Sequence, residues 1–123
     1  MKRLEFPTLH EPAYPVHRIA RELEPYLRLI VERFAPERIV LFGSQAYGDP
    51  DEHSDVDLLV VRRDLKSERQ SNLEIYQALD EARGANLPFT ILSRSPERLE
   101  EEVAAGSSFH GEILRRGVTL YAA

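Results

Sequence analysis

Hydrophobic positions along the chain change their period several times, and each change marks an element. Val16, Ile19, Ala20 and Leu23 recur at the spacing of an amphipathic helix, and Leu27, Ile30, Val31 and Phe34 continue it beyond Pro25. This predicts two short helices or one kinked helix, stopped by Pro36. Arg38 to Phe42 (RIVLF) is then β-branched and apolar enough for a buried strand. Gly43 follows it directly, and SQAY, closed by Gly48, reads as a strand-to-turn-to-helix connection. In Asp55 to Val61 (DVDLLVV) the period is two, with Asp55, Asp57 and Leu59 on one face and Val56, Leu58 and Val60 on the other.

The second half repeats this alternation of periods. Ser67 or Ser71, each with Gln or Glu three residues on, caps a helix with the stripe Ile75, Leu79 and Ala82, and Gly84 is placed to end it. Leu87 to Leu92 is a third strand, with Thr90 and Leu92 on one face and Phe89 and Ile91 on the other. Ser95 with Pro96 starts a helix that Gly106 stops; Ser107 or Ser108 caps another, and Gly117 precedes a last short strand, VTLY. The order helix, β, β, α, β, α, α, β predicts an α/β (α+β) domain with a small mixed sheet and helices packed on one side. Residues 15–123 form this single domain. Residues 1–14, with Pro7 and Pro12 and with Pro15 directly after, read as an extended N-terminal arm.

Composition narrows the chemistry. A chain of 123 residues, 42% hydrophobic and 30% charged, has the make-up of one globular domain. The absence of Cys excludes disulfides, thiolate metal sites and a cysteine nucleophile. The longest apolar runs, Ile39 to Phe42 and Leu58 to Val61, are far short of the ~20 residues that cross a bilayer. No membrane partner is expected, and with no secretion signal in the opening residues the cytoplasm is the expected location. A net charge of −5 disfavours an extended nucleic acid ligand, whereas a nucleotide held by backbone amides and a divalent metal is compatible with it.

Gly43 to Val61 carries the candidate chemistry. A Gly-Ser turn at the end of a buried strand presents backbone N–H groups and the Ser44 hydroxyl to phosphate oxygens, although the same pair alone describes any helix-capping turn. Asp55 and Asp57 add two carboxylates on one face of a strand, an arrangement that costs free energy unless a cation or solvent offsets it. Surface charge on a solvated edge is the plain alternative; the apolar LLVV that follows favours a buried strand end that faces a cleft and holds Mg²⁺ or Mn²⁺. Gln45, Gly48 and Ser54 shape the same turn and take supporting roles. The scattered His10, His17, His53 and His110 have no metal-binding spacing. Arg62, Arg63, Arg115 and Arg116 read as structural cations, Tyr47 as packing, and Glu100 to Glu102 as a solvated helix face.

Together, LFGSQAYG and SDVDLLV resemble the nucleotidyltransferase signature of the DNA polymerase beta superfamily, and most closely its minimal nucleotidyltransferases, the antitoxin type that accompanies HEPN proteins. The resemblance covers residues 38 to 61 specifically and the remainder in general layout. It implies transfer of a nucleoside monophosphate, AMP from ATP first among them, from a Mg-bound nucleoside triphosphate to a hydroxyl. Asp55 and Asp57 would be the catalytic and metal-binding pair, and Gly43, Ser44 and Ser54 would lie against the nucleotide. It further implies a HEPN-type protein partner that supplies the acceptor. The sequence departs from the family at the third carboxylate on the next strand, where Thr90 stands. A threonine is no general base at neutral pH, so the alternative is a nucleotide-binding or contact-only antitoxin with impaired catalysis.

Overall fold

The computed structural model describes residues 4–51, 53–82 and 87–123. The helical pattern before Pro36 resolves into a 3-10 turn, Pro15–Ile19, and one helix, α1, Ala20–Phe34. That helix runs through Pro25 with Leu23, Tyr26, Leu27 and Ile30 buried along one stripe, so packing outweighs the donor lost at the proline. Strand β1 (Arg38–Phe42) leads through Gly43 into the one-turn helix α2 (Ser44–Tyr47), and β2 (Val56–Val61) follows the polar loop. Helix α3 (Glu68–Glu81) begins at Ser67, whose Oγ accepts from the Gln70 N–H at 3.0 Å. Gly84, expected to end it, lies outside the described residues. Strand β3 (Phe89–Arg94) runs two residues further than its sequence pattern suggested, because Ser93 and Arg94 are drawn into pairing beside β2. Helices α4 (Pro96–Ala104) and α5 (Ser108–Arg116) and strand β4 (Val118–Ala122) complete the chain.

The sheet has the order β3-β2-β1-β4, with β2 and β3 parallel and the other pairs antiparallel. This mixed topology gathers the C-terminal end of β1 and the N-terminal ends of β2, β3 and β4 at one end of the sheet. The two alternating sets of side chains enter two cores. Ile39, Leu41, Val56, Leu58, Val60 and Ile91 pack beneath α1 and α3. Val40, Phe42, Leu59 and Val61 pack with Leu99 of α4 and Ile113 of α5. The expected small mixed sheet with flanking helices is thus present, but α4 and α5 take the opposite face from α1 and α3. The reason is visible in the strands: β1 and β2 are apolar on both faces, and each face needs a cover.

A second difference concerns the opening segment. Instead of an extended arm, Pro7–His10 forms a 3-10 turn, and Phe6 and Leu9 are buried in the α1 and α3 core, with the Phe6 ring 6.3 Å from that of Tyr121 in β4. The prolines set local geometry, but burial of two large apolar side chains decides where the segment lies.

On the far face, Glu102 does not behave as part of a solvated row. Its side chain is 14% exposed and meets Arg94 and Arg98 at 3.1 Å and His110 Nε2 at 2.5 Å. His110 Nδ1 in turn lies 2.8 Å from Oγ of Ser107, the residue that caps α5. This chain of polar contacts ties β3, α4 and α5 into one unit. If the opening segment is part of the core, Leu9→Ala should destabilise the protein by about 2–5 kcal/mol in urea unfolding, whereas a peripheral arm would leave the midpoint unchanged.

Candidate functional site

The candidate residues meet at the end of the sheet where β1 stops and β2 and β3 start. Phe42 pairs with Asp57, and Asp57 pairs with Thr90, so three neighbouring strands present one residue each to the same face. Leu59 and Leu92, two residues further along β2 and β3, both pack in the α4 and α5 core, which fixes that face as the one carrying Asp57 and Thr90. Asp55, just before β2, is exposed, yet it reaches the same point: Thr90 Oγ1 donates to its Oδ2 at 3.2 Å.

Gly43 sets the closeness of turn and carboxylate. Its φ of 75° lies in the left-handed region, and a Cβ added there would stand 2.1 Å from Asp57 Oδ2. The carboxylate therefore occupies the space a side chain would fill, directly against the main chain of the turn. Beyond it, the Gly43 carbonyl accepts from Ala46 and Tyr47, which closes α2, while the Ser44 and Gln45 amides open that helix and have no intrahelical partner. Gln45 is buried, consistent with a supporting role.

Asp57 is half-buried, and its pKa is raised, first by that burial, then by the neighbouring Asp55 charge; the Thr90 hydroxyl partly offsets both. No ion pair to Asp55 or Asp57 is found among the described residues. The two acids thus face each other with a single hydroxyl between them. No group of three or more His, Cys, Asp or Glu disposed around a metal is found among the described residues. The donor set still fits Mg²⁺ or Mn²⁺, because these hard ions typically take one or two carboxylates from the protein and complete their shell with substrate phosphates and water.

Ser54 is not brought into this cluster. Its Oγ accepts from the Asp51 N–H at 2.8 Å and contacts Asp51 Oδ1 at 3.3 Å, which closes the loop ahead of Asp55. Two contacts at the site had no signal in the sequence. Arg116, read as a helix-end cation, stacks over the Tyr47 ring at 4.2 Å and so brings a guanidinium beside α2. Phe109 meets the ring of Phe42 edge-on at 6.0 Å.

A sheet end that joins a Gly-Ser turn to two carboxylates on the next strand is the arrangement of a nucleotidyltransferase fold. The family model described as Polymerase beta, Nucleotidyltransferase matches residues 27–122, and the chain belongs to that family. Among solved structures, it is similar to a Sulfolobus solfataricus protein described provisionally as a nucleotidyltransferase, with 23% identity, 88% of this chain and 86% of that chain covered, and a TM-score of 0.51, a likeness of fold. No curated protein matches the chain. No helix among the described residues is long and apolar enough to cross a membrane.

Two predictions follow from this geometry. Gly43→Ala should cost about 1–3 kcal/mol of stability in urea unfolding from the left-handed backbone alone, with a further loss because the new methyl displaces Asp57. For Asp57, a carboxyl whose pKa folding raises, stability is full below the unfolded value and falls as pH rises through the folded value. Asp57→Asn should therefore melt at a higher temperature than the parent at neutral pH without metal, with the gap closing in acid.

Proposed function

We propose that this protein binds a nucleoside triphosphate as its Mg²⁺ or Mn²⁺ complex, with ATP the first candidate, and acts chiefly through that binding, with nucleotidyl transfer slowed or lost. Gly43 and Ser44 hold the terminal phosphates, and Asp55 and Asp57 hold the divalent ion. The ion, when bound, neutralises phosphate charge and joins the triphosphate to the carboxylates. The observation that carries this reading is Thr90. It pairs with Asp57 across the parallel strands and donates a hydrogen bond to Asp55, at the position where the family resemblance expects a third carboxylate. A hydroxyl so placed positions the acid pair but does not take a proton from an attacking alcohol at neutral pH. In this reading, the chain neutralises a HEPN-type toxin by contact, with the nucleotide tuning the contact.

The intact acid pair favours a second reading, in which the protein transfers AMP to a hydroxyl on that partner. Both acids of the resemblance are kept here, close enough for the charge of Asp55 to raise the pKa of Asp57. The two readings part in one assay. Calorimetry should show Mg²⁺-dependent heat with ATP, while labelled ATP and a co-purified partner give little covalent label. Thr90→Asp should then raise transfer by about a hundredfold, the lower range of general-base catalysis. Parent protein that labels its partner readily, with no gain in Thr90→Asp and loss in Asp57→Ala, would establish transfer instead.

A further inference from the structure

Phe109 stands out among the exposed apolar side chains. Four large ones are exposed among the described residues: Leu73, Tyr76, Val103 and Phe109. Tyr76 has a task, since its hydroxyl accepts from the Ile91 N–H at 2.8 Å on the outer edge of β3. Leu73 and Val103 are aliphatic and lie on α3 and α4, away from the acid pair. Phe109 is an aromatic that leaves about half its surface in water, at 52%, in the first turn of α5.

Its position is set by the site. The Phe109 ring meets Phe42 edge-on, at an interplanar angle of 89°, and His110 at 82° with centroids 5.2 Å apart. Phe42 is bonded to Gly43 and is the cross-strand partner of Asp57. His110 is buried and held by Ser107 and Glu102, so the turn that carries Phe109 is anchored on both sides. With these contacts made, about half of the Phe109 surface stays open to a ligand. Through Phe42, Phe109 lies on the same side of the sheet as Asp57, beside the strand end from which the Gly43 turn departs.

We infer that Phe109 is the stacking platform for the nucleobase of the bound triphosphate. This assignment rests on the nucleotide-binding reading above. Phe109 is the exposed aromatic in ring contact with Phe42, the residue bonded to Gly43 and paired with Asp57, so a nucleoside that leaves the phosphate subsite on the α5 side of the sheet meets it. Stacking uses the π-face that every base has and needs no hydrogen-bond code. The platform therefore selects nucleosides over bare polyphosphate and discriminates only weakly among bases.

Calorimetry with two probes in the presence of Mg²⁺ separates this assignment from the reading beneath it. Inorganic tripolyphosphate reports the phosphate and carboxylate subsite alone; ATP reports that subsite and the base. Phe109→Leu should weaken ATP binding about tenfold, within the range seen when a stacking aromatic is removed, and leave tripolyphosphate binding unchanged. Phe109→Trp should keep ATP affinity. Because the natural chain has no Trp, its indole becomes the sole tryptophan reporter, quenched by ATP and not by tripolyphosphate. Equal ATP affinity in Phe109→Leu and the parent, or indole emission indifferent to ATP, overturns the platform while the phosphate site stands. A parent protein that binds neither probe overturns both.

Discussion

The arrangement depends on one close approach: the Asp57 carboxylate lying where a side chain of Gly43 would be. Strand pairing alone brings β1 and β2 to the spacing of a sheet, which leaves room for a side chain at the end of β1. Removing that side chain, and bending the backbone into the left-handed region, lets the turn and the acid share the space. The main chain of the turn is thereby directly against the acid. The two halves of the site are coupled by a steric fact, and a change on either side reaches the other.

That proximity has an electrostatic cost which the protein offsets only partly. Burial and the Asp55 charge disfavour the ionised form of Asp57, and among the described residues the hydroxyl of Thr90 offsets them in part. A hydroxyl has a single proton to share between two acids. The remaining repulsion is a cost to the stability of the fold. Such deficits are typical where stability yields to function. They also explain why Thr90 is a sound structural residue and a poor catalytic one: it softens the repulsion without adding the charge that a third carboxylate would bring.

Much of this was legible in the sequence. The period-two alternation of DVDLLVV placed both carboxylates on one face, and the side chains of Leu59 and Val61 enter one core while Val56, Leu58 and Val60 enter the other. The caps at Ser67, Ser95 and Ser107 were equally readable, because capping is a local interaction. What was not legible depended on distant contacts. Phe6 and Leu9 look like part of a proline-rich arm until β4 and α1 supply a surface to bury them. Glu102 looks like one of three solvated acids until Arg94, Arg98 and His110 converge on it from three elements. The assignment of helices to the two faces was hidden for the same reason, since alternation tells which residues share a face but not which helix will cover it.

The far-face cover has a consequence for the site. Helix α5 touches the functional end of the sheet in two places: Phe109 against Phe42 near its start, and Arg116 over Tyr47 at its end. Its apolar grip is modest, with Ile113 buried and Leu114 half-buried, so its position also depends on the polar chain from Arg94 through Glu102 and His110 to Ser107. Breaking one member of a partly buried network leaves the others unsatisfied, which makes such networks sensitive points. Arg94 lies at the opposite end of β3 from Thr90. A substitution there would reach the acid pair along two routes, through the strand that presents Thr90 and through the helix that presents Phe109. The β3, α4 and α5 unit is therefore more than a cover for the sheet: it sets the positions of Thr90 and Phe109 beside the strand end that carries Asp57.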